Sequence, residues 1–370
     1  MKKKIFIITG ESSGDKLASN IIKYFKKNKF SVSAIGSQYL KKNKVKILFD
    51  SSELSVMGFV DVIKKIFFLI GRINLTIKYI KNFRPDIIFS IDSPDFSFRV
   101  ENRIKKILPN IKIFHLVAPS IWAWRESRVF FFRKFIDHLF LLFPFEKKIF
   151  DKFKIKNTFV GHPFFENKIK YKKFSLPEDK KIITFCPGSR LSEVKMFMPI
   201  FIRLIILIND KFGNNFLYHF PILKKHIFVV KNYLKNHKST IVTLDENKKN
   251  YFIKKSLFCV AKSGTISLDI CKNKSPLITI YKTSWFNYFL IRPFVKVKFI
   301  NIVNIIAKKE IIPELIQFDC NVKKIFSLVS VFIKNKKIRK RNVISYSKYI
   351  KKISKINTSK SIAKIIESSL

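Results

Sequence analysis

The chain has 370 residues, 47% of them hydrophobic, so it is long enough for two compact domains and too apolar to be intrinsically disordered. Its 74 Lys and Arg residues exceed its 25 Asp and Glu residues, which gives a formal net charge of +49. No apolar run reaches the roughly 18 residues of a membrane helix, and the apolar stretch at residues 5–9 is shorter than a signal peptide needs. We expect a soluble cytosolic chain, with peripheral attachment to a membrane left open.

Apolar runs alternate with helical patterns along residues 1–165, which we predict to form one domain. Strands are predicted at residues 4–9, 32–36, 86–91, 111–116, 138–143 and 158–161, and helices at residues 14–27, 62–82, 98–108, 127–135 and 146–153. Such alternation is typical of βαβ units and a mostly parallel sheet. A polar, Lys-rich stretch at residues 166–181 interrupts the apolar pattern, and we predict that it links two domains.

The same alternation resumes in residues 182–345, the predicted second domain. Strands are predicted at residues 182–186, 215–220, 240–244, 257–261 and 276–281, and helices at residues 192–211 and 265–271. The predicted fold class is therefore α/β, with two doubly wound Rossmann-like domains facing a cleft. From residue 322 onward the chain carries fourteen Lys and Arg and one acid, with apolar residues at helical spacing. We predict a basic helical tail at residues 346–370. Amphipathic basic helices either cover a core or lie on a membrane surface, and we favour the first interpretation because it is more common.

The four cysteines and nine glycines are few enough for their positions to be informative. No cysteine pair has Cys-x-x-Cys spacing and no His stands at zinc-ligand spacing, so we predict buried cysteines, no disulfide framework and no metal site. Seven glycines fall at predicted strand ends or in short loops: Gly10, Gly14, Gly36, Gly58, Gly161, Gly188 and Gly264. This placement indicates positive φ or close approach of the backbone to a ligand, although turns also need glycine for structural reasons.

Residues 9–16 join the first predicted strand to the first predicted helix. Their spacing matches neither a P-loop nor the Rossmann glycine fingerprint. The turn offers backbone N–H groups at a helix N-terminus, where anionic groups bind well. The alternative is a capped turn, with Ser12 or Ser13 as the cap and Asp15 in the first helical turn.

Asp92 directly follows the buried strand predicted at residues 86–91. A carboxylate at the carboxyl end of a parallel strand faces the ligand crevice, and partial burial would suit it to act as a general base. An Asx turn or helix cap is the alternative, and we favour it for Asp95. After the next strand come Trp122, Trp124 and Arg125, which suit a wall facing a sugar or a lipid as well as they suit burial between domains.

Two glycine-containing loops follow predicted strands of the second domain. Residues 187–190 end in Arg190, whose guanidinium can bind a diphosphate through two hydrogen bonds. Residues 262–265 offer hydroxyl and backbone N–H groups, and Asp269 stands one turn further on. Each loop alone is an ordinary capped turn, but together they predict a nucleotide-diphosphate site.

Eight sequence segments occur in one order along nearly the whole chain: ESSGD at 11–15, SVMGFVDV at 55–62, IDSPDF at 91–96, APSIWAWR at 118–125, PFE at 144–146, GHP at 161–163, PGSR at 187–190 followed by Glu193, and SGT at 263–265. With these segments the chain resembles the lipid-A-disaccharide synthase family. The segments at 11–15 and 118–125 are specific to that family.

The resemblance implies a GT-B architecture with the acceptor in the first domain and the donor in the second. It implies an inverting, metal-independent transfer of 2,3-diacylglucosamine from UDP-2,3-diacylglucosamine to 2,3-diacylglucosamine 1-phosphate (lipid X). The products would be UDP and the β(1→6)-linked disaccharide 1-phosphate of lipid A biosynthesis. The resemblance implies no cofactor and no nucleic-acid partner, attachment to the cytoplasmic face of the inner membrane, and it leaves a homodimer open.

The resemblance also assigns residue roles, with Asp92 as the catalytic base. The donor side would comprise Arg190, Glu193, Ser263, Gly264, Thr265, Asp269 and Asn304, and the acceptor side Ser13, Gly14, Met57, Gly58, Trp122, Trp124 and Arg125. Three positions depart from the family pattern. Asp269 stands where Glu is usual, Lys195 stands where a second acid is common, and Asn301 competes with Asn304 in the alignment.

The helix predicted at residues 62–82 carries apolar side chains that could face lipid, and packing against the core is the alternative. These side chains are Ile63, Ile66, Phe67, Phe68, Leu69 and Ile70. Two other functions are considered: a UDP-sugar epimerase of the same architecture, and a basic nucleic-acid-binding protein. The second lacks a recognisable reading module, and heavy use of Lys, Asn, Ile and Phe is typical of an A- and T-rich genome, to which we attribute most of the charge.

Overall fold

The computed structural model describes residues 2–26, 29–54, 59–123, 126–166, 169, 171, 180–285, 288–289, 292–295, 297–354 and 356–370. Four predicted site residues lie outside the described residues: Met57, Gly58, Trp124 and Arg125. Most of the predicted linker at 166–181 lies outside them as well. The chain divides into two compact units, of which unit 1 comprises Met1–Glu166 with Ile353–Leu370 and unit 2 comprises Asn167–Lys352.

Unit 1 is a parallel α/β sheet flanked by helices. Its strands are β1 (Lys3–Thr9), β2 (Phe30–Gly36), β3 (Lys46–Asp50), β4 (Ile87–Ile91), β5 (Lys112–Leu116), β6 (His138–Leu141) and β7 (Asn157–Phe159). The helices between them are α1 (Ser12–Ile22), α2 (Gln38–Lys42), α3 (Phe59–Phe83), α4 (Pro94–Ile107), α5 (Val129–Phe132) and α6 (Pro144–Lys152). The seven strands lie in the order β3-β2-β1-β4-β5-β6-β7.

Unit 2 repeats this design with six strands. They are β8 (Lys181–Cys186), β9 (Phe216–Pro221), β10 (Thr240–Thr243), β11 (Ser256–Lys262), β12 (Leu277–Tyr281) and β13 (Glu314–Ile316), in the order β10-β9-β8-β11-β12-β13. The helices are α7 (Leu191–Phe212), α8 (Ile227–Leu234), α9 (Glu246–Lys255), α10 (Ile266–Lys272), α11 (Ile302–Ala307), α12 (Val322–Lys334) and α13 (Lys336–Ser354). A last helix, α14 (Thr358–Ser368), belongs to unit 1.

The central strands are apolar throughout because both faces of each sheet are covered. In β1, Ile5 and Ile7 contribute to one hydrophobic cluster, whereas Phe6 and Ile8 contribute to another. All five residues of β4 are buried. This double burial explains why the strands could be predicted from continuous apolar runs and why the α/β fold class is confirmed.

Each sheet reverses its strand order once, between β1 and β4 in unit 1 and between β8 and β11 in unit 2. In doubly wound sheets, ligands bind at the carboxyl ends of the strands beside such a switch point. The residue 9–16 segment and Asp92 follow β1 and β4, and the loops at 187–190 and 262–265 follow β8 and β11. The four loops singled out from the sequence therefore flank the two switch points.

The chain end differs from the predicted separate tail at residues 346–370. Helix α14 packs Ile362, Ala363 and Ile366 into the same cluster as Ala18 and Ile21 of α1. These residues therefore complete the core of unit 1, as expected for helices that cover a core. The helices α2, α8, α9 and α11 and the short edge strands β3 and β13 were not predicted from the sequence. The residues of the two edge strands are mostly half-buried.

The four cysteines are all buried, as predicted. Of the seven glycines, Gly161 and Gly188 have positive φ, and Gly10 and Gly36 are sites of close approach, whereas Gly264 shows neither feature. Among the described residues, no helix combines the length and the apolar character needed to cross a bilayer.

Candidate active site

Asp92 lies at the switch point of unit 1, in a backbone conformation that a non-glycine residue rarely adopts. Asp92 has a φ of +58° and Ser93 a φ of +51°. The Asp92 N–H donates to the carbonyl oxygen of Leu116 at 3.0 Å, and Ser97 Oγ donates to the Asp92 carbonyl oxygen at 3.1 Å. Two successive left-handed residues cost free energy, and such strain is concentrated at functional sites. The sequence analysis did not predict this conformation.

The carboxylate of Asp92 is half-buried and held on one side. Its Oδ1 accepts a hydrogen bond from the Ser93 N–H at 2.8 Å. Its Oδ2 accepts no hydrogen bond from any residue that the structure describes. The group therefore has a fixed orientation and one oxygen available to accept a proton.

The loop after β1 packs directly against this strained turn. A Cβ on Gly10 would overlap the side chain of Ser93, so the close approach requires glycine at this position. Ser13 and Gly14 lie in the first turn of α1, and an added Cβ on Gly14 would lie 3.4 Å from the Ile91 carbonyl oxygen. Gly14, one of the predicted acceptor-side residues, therefore lies beside the end of β4.

Asp15 and Asp95, two further acidic residues of these loops, form hydrogen bonds or ion pairs within the protein. The buried carboxylate of Asp15 accepts hydrogen bonds from the Ser37 N–H and Oγ, both at 2.7 Å, and from the Tyr39 N–H at 2.9 Å, and so it caps α2. Asp95 pairs with Arg128 on the surface. The predicted N-cap role does not fall to Asp95, because Ser93 is the N-cap residue of α4.

A buried polar pair lies behind Asp92. His115 Nε2 lies 3.2 Å from the Val117 carbonyl oxygen, so Nε2 carries the proton and Nδ1 accepts from Ser90 Oγ at 2.6 Å. Burial lowers the pKa of His115 to about 3, which keeps the ring neutral. Val117 has a φ of +73°, and the hydrogen bond from His115 holds its carbonyl group where the chain turns away from β5.

Trp122 is half-buried, and its indole is fixed by two neighbours. Trp122 Nε1 donates to Glu146 Oε1 at 3.3 Å, and its ring meets the Phe145 ring edge-on at 5.0 Å. Glu146 Oε2 also accepts the Phe143 N–H at 3.0 Å, which caps α6. Burial raises the pKa of Glu146 to about 7. Glu146 was not among the predicted site residues, although it stands in the PFE segment that carries part of the resemblance.

Unit 2 has a cavity of about 240 Å³ at its switch point. The loops after β8, β9, β10 and β11 supply its walls. Its lining residues are Cys186, Gly188, Ser189, Glu193, Pro221, Ile222, Leu223, Thr243, Leu244, Asp245, Glu246, Lys249, Lys262, Ser263, Gly264, Thr265, Ile266 and Asp269. The cavity therefore brings together five predicted donor-side residues: Glu193, Ser263, Gly264, Thr265 and Asp269.

Glu193 lies at the centre of one wall and is bound by two cations. Its Oε1 lies 2.8 Å from Lys262 Nζ and 3.5 Å from Arg190 Nη1. Its Oε2 accepts the N–H groups of Ser189 at 2.9 Å and Arg190 at 3.2 Å. Burial alone would raise the pKa of Glu193, but the hydrogen bond and charge of Lys262, together with the N–H groups of Arg190 and Ser189, hold that pKa below its ordinary value.

The loop before Glu193 depends on glycine. Gly188 has a φ of +117°, and a Cβ there would lie 2.8 Å from the Cβ of Glu193. The close approach lets the carboxylate reach back to the N–H groups of the loop. Arg190, whose side chain is 68% exposed, projects from this loop into solvent, so one of the two cations is held only weakly.

Asp269 is paired with a lysine that the sequence analysis did not single out. Lys249 Nζ lies 3.0 Å from Asp269 Oδ2 and 2.7 Å from Glu246 Oε1. Burial raises the pKa of Asp269 above its ordinary value, although the charge of Lys249 opposes the rise. The predicted acceptor for ribose hydroxyls is therefore one half of an ion pair that lines the cavity.

The loop after β11 presents fewer donors than the sequence suggests. Ser263 donates its N–H to the Ile280 carbonyl oxygen and its Oγ to the Ile300 carbonyl oxygen, each at 2.9 Å. Its hydroxyl can therefore only accept a further hydrogen bond. A Cβ on Gly264 would meet no atom within 4 Å, so open space lies beside this residue. Within the described residues, the N–H groups of Gly264 and Thr265 have no acceptor.

Asn304 does not line the cavity. Its amide Nδ2 donates to Ile312 O and Glu314 Oε1, both at 2.7 Å, and its Oδ1 accepts the N–H groups of Ile311 and Ile312. Its competitor Asn301 is also buried and caps α11. The predicted contact of Asn304 with the donor is not supported by this geometry, because its amide is fully used in holding the chain around β13.

Lys249 was not predicted from the sequence, and Lys262 was predicted only as part of the 262–265 loop, without a role for its charge. The chain has 74 Lys and Arg residues, so a single lysine gives no signal. The described residues contain no group of three or more His, Cys, Asp or Glu side chains that could hold a metal ion.

The apolar side of the cavity comprises Ile222, Leu223 and Leu244. Leu223 is 46% exposed and Leu244 is 47% exposed, so two apolar side chains of the lining are open to solvent.

Comparisons with known proteins identify the family of this chain. A family model described as lipid-A-disaccharide synthetase matches residues 5–366. The lipid-A-disaccharide synthase of Rickettsia felis is 34% identical over 359 residues, which covers 95% of this chain and 91% of the relative. The lipid-A-disaccharide synthase of Rickettsia bellii is 36% identical over 327 residues, which covers 86% of this chain and 85% of the relative.

Solved structures share the fold at low sequence identity. A structure of S. aureus MnaA with UDP has a TM-score of 0.64 at 15% identity and covers 99% of this chain and 96% of that one. The glycosyltransferase of kitacinnamycin has a TM-score of 0.66 at 11% identity and covers 100% of this chain and 99% of that one. The UDP-GlcNAc 2-epimerase of Neisseria meningitidis, bound to UDP-GlcNAc, has a TM-score of 0.61 at 15% identity and covers 99% of each chain.

Proposed function

The chain belongs to the lipid-A-disaccharide synthase family of glycosyltransferases, and we propose that it transfers 2,3-diacylglucosamine from its UDP conjugate to 2,3-diacylglucosamine 1-phosphate. The acceptor 6-hydroxyl oxygen forms a bond to the anomeric carbon while the bond from that carbon to UDP breaks. A single displacement inverts the anomeric centre and gives the β(1→6)-linked disaccharide. The observation that carries the proposal is the cavity at the unit 2 switch point, which Glu193 and Lys262 line, while the exposed Arg190 pairs with Glu193 from outside the lining.

Asp92 takes the proton of the attacking hydroxyl. Three features support this role: its position after β4 at a switch point, its half-burial, and the hydrogen bond from the Ser93 N–H to Oδ1, which leaves Oδ2 without a donor among the described residues. General-base catalysis typically contributes ~10²–10⁴ in rate. Ser13, Gly14 and Trp122 would border the bound acceptor, together with Met57, Gly58, Trp124 and Arg125, the predicted residues outside the described part.

Arg190 and Lys262 stabilise the charge that develops on the leaving UDP. Two cations around one carboxylate leave one positive charge unbalanced. A diphosphate would compete with Glu193 for both, and preorganised charge of this kind strongly favours departure of an anionic leaving group. The N–H groups of Gly264 and Thr265, without acceptors within the described residues, face the same charge.

The remaining walls suit the nucleoside. Asp269 and Lys249 offer an acceptor and a donor for the ribose hydroxyls. Ile222, Leu223 and Leu244 offer an apolar surface against which a uracil ring can lie. The apolar lining residues follow β9 and β10, and the charged ones follow β8, β10 and β11.

Helix α3 supplies a lipid-facing surface. Phe67 is 85% exposed, and Ile66, Phe68 and Ile70 are each at least 44% exposed. Packing against the core does not account for such exposure. An exposed apolar stretch of this size suits the acyl chains of the substrates and attachment to the cytoplasmic face of the inner membrane.

The oligomeric state, with a homodimer as one alternative, is measurable by light scattering.

The test is product analysis with both lipid substrates. Mass spectrometry should detect the tetra-acyl disaccharide 1-phosphate and UDP in equal amounts. Asp92→Asn should lower kcat by at least ~10² because it removes the base. The folded state of the variant is checked by circular dichroism. Near-normal turnover by Asp92→Asn would remove that residue from the role, and absence of product with the unmodified chain would overturn the proposed function.

A UDP-sugar epimerase is the second candidate, favoured by the fold shared with UDP-GlcNAc 2-epimerases. The two functions separate when the UDP-diacyl sugar is supplied alone. A transferase should leave it intact, whereas release of UDP or a change at C2 without acceptor would favour the epimerase.

A further inference from the structure

A row of buried hydrogen bonds crosses the sheet of unit 2 and ends at the donor cavity. It joins one polar side chain from each of four strands: Ser256 of β11, Thr184 of β8, His219 of β9 and Thr243 of β10. Thr184 Oγ1 lies 2.6 Å from Ser256 Oγ and 2.9 Å from His219 Nδ1. His219 Nε2 lies 2.8 Å from Thr243 Oγ1. Thr184 and His219 are fully buried, and Thr243 lines the cavity.

The direction of every bond in this row is fixed from its first member. Ser256 Oγ donates to the Phe252 carbonyl oxygen at 2.8 Å, because a carbonyl oxygen can only accept. A hydroxyl group has one proton, so Ser256 must accept from Thr184, and Thr184 must accept from His219 Nδ1. In a neutral His219 ring the proton therefore lies on Nδ1, and Nε2 accepts from Thr243 Oγ1.

The His219 ring is held neutral by its surroundings. Burial, and to a smaller extent the charge of Lys249, lower the pKa of His219 to about 3. The ring stacks on the Phe252 ring, with centroids 4.7 Å apart, so its nitrogens are left to the hydroxyl groups at its edge. His115 in unit 1 has the opposite arrangement, with its proton on Nε2. The partner on one ring nitrogen thus decides the tautomer in both residues.

The consequence for the donor cavity lies at Thr243. Because Thr243 donates its only hydroxyl proton to His219, its Oγ1 can meet a ligand only as an acceptor. Thr243 adjoins the apolar lining, since it precedes Leu244 and its carbonyl oxygen accepts the Ile222 N–H at 3.0 Å. We propose that Thr243 selects the nucleobase by accepting a hydrogen bond from N3–H of uracil, and that His219 is the positioning residue that keeps Thr243 an acceptor.

The fixed direction matters because uracil and cytosine differ at N3. Uracil has a proton there, whereas neutral cytosine has a lone pair, so a fixed acceptor favours uracil and repels cytosine. A threonine hydroxyl that could turn freely would accept from one base and donate to the other. A ribose hydroxyl fits less well as the partner of Thr243, since it can donate or accept and gains nothing from a fixed direction. The inference rests on the proposed function, from which uracil follows as the base.

Nitrogen NMR tests the direction of the bonds without any nucleotide. In the full chain labelled with ¹⁵N at histidine, His219 should show a protonated Nδ1 and an unprotonated Nε2 at neutral pH, the opposite of His115. The His219 signals are identified by their loss in His219→Gln and by the proximity of the ring protons to those of Phe252. A proton on Nε2 of His219, or a charged ring, would overturn the proposal.

Binding of free nucleotides tests the consequence for selectivity. In calorimetry the unmodified chain should bind UDP more tightly than CDP. Thr243→Val keeps the shape of the side chain without its hydroxyl, and it should weaken UDP binding about tenfold without weakening CDP binding. Thr243→Ser keeps the hydroxyl and should retain the preference. Unchanged UDP binding by Thr243→Val, or equal weakening of both nucleotides, would overturn the proposal.

The same titrations separate this inference from the proposed function. If the unmodified chain bound neither UDP nor CDP, the proposed function would be wrong, and the selection of uracil by Thr243 would be wrong with it. If the chain bound UDP and formed the disaccharide but Thr243→Val kept the full preference for UDP, only the inference about Thr243 would be wrong.

A variant away from the cavity distinguishes the direction of the bonds from contact with the base. In Ser256→Ala, Thr184 is free to donate to His219 Nδ1, so the ring proton should move to Nε2. Thr243 can then turn its own proton toward the ligand, and the preference for UDP over CDP should fall about threefold or more. An Nδ1 proton retained on His219 in Ser256→Ala would overturn the proposal.

Ser275→Ala is the matched control for Ser256→Ala. Ser275 is also buried, and its Oγ also donates to a carbonyl oxygen of α9, that of Ile253, but it takes no part in the row of hydrogen bonds. Ser275→Ala should change neither the tautomer of His219 nor the preference for UDP. An equal loss of preference in Ser275→Ala and Ser256→Ala would overturn the proposal, because general loosening of α9 would then explain both.

Discussion

Glu193 is the residue on which the proposed donor side of the site depends. One carboxylate closes the loop after β8 through the N–H groups of Ser189 and Arg190 and also binds Lys262. Because the loop fixes Glu193, the carboxylate cannot follow either cation when a ligand arrives. Lys262 and Arg190 can therefore turn toward a diphosphate while Glu193 continues to hold the loop.

Lys262→Met tests this account at the scale of one residue. The change removes the less exposed of the two cations and keeps the length of the side chain. We expect kcat to fall by about 10²-fold, since removing one preorganised charge-stabilising group typically costs this much. Steady-state rates at saturating donor and acceptor measure the effect.

Two variants control the Lys262 experiment. Lys262→Arg keeps the positive charge and should retain most of the activity. Lys255→Met removes an exposed lysine just before the opposite end of β11 and should have no effect. If Lys255→Met lowered kcat as much as Lys262→Met, general loss of positive charge would explain both results, and the assigned role of Lys262 would be wrong.

At the scale of elements, the left-handed conformation of Asp92 and Ser93 depends on contact between two loops. The loop after β1 approaches Ser93 so closely that only glycine fits at position 10. Ser93 and Asp92 are both left-handed, and the hydrogen bonds from Ser97 and to Leu116 hold them there. The two loops therefore position the carboxylate together. No single residue in the sequence could have predicted this contact between them.

Gly10→Ala should separate the two loops and lower kcat by about 10²-fold, since a displacement of about 1 Å in a catalytic group costs this much. Ser93→Gly removes the side chain that the new methyl group meets, and glycine accepts the left-handed conformation without penalty. The double variant should therefore recover to near the activity of Ser93→Gly alone.

Gly71→Ala is the matched control, because a Cβ there meets no atom within 4 Å and the residue lies within α3. It should leave kcat unchanged and stabilise the helix by up to ~1 kcal/mol. If the double variant stayed as inactive as Gly10→Ala, contact with Ser93 would not be the reason for glycine at this position.

The sequence predicted these elements unevenly, for physical reasons. Strands buried on both faces read as continuous apolar runs, so β1, β4, β8 and β11 were placed within a few residues, and the loops after them followed. Edge strands such as β3 are half-buried and resemble loops. Ion pairs such as that of Lys249 with Asp269 join positions twenty residues apart, and their partners cannot be chosen among so many lysines.

At the scale of the whole molecule, the end of the chain completes the fold of its beginning. The division at Lys352 and Ile353 falls within α13, and the last residues join unit 1. The two crossing segments are bonded: Glu166 accepts the Ser359 N–H and, at 2.7 Å, Ser359 Oγ, while His162 N–H donates to the Ile353 carbonyl oxygen at 3.0 Å. Sequence spacing showed that the tail helices are amphipathic, but it could not show which core they cover.

Ile362→Ala should therefore weaken unit 1 and spare unit 2. Ile362 is fully buried in α14, so its truncation should cost about 2–5 kcal/mol in the free energy of unfolding. The Trp285→Phe variant keeps tryptophans only in unit 1, and the variant with Trp122→Phe and Trp124→Phe keeps one only in unit 2. The tryptophan fluorescence of each variant therefore reports the unfolding of a single unit in urea. Ile344→Ala, at a residue that is 62% exposed on α13, should change neither transition by more than ~0.5 kcal/mol. A shift of the unit 2 transition by Ile362→Ala, with the unit 1 transition unchanged, would mean that the last helix serves unit 2 in solution.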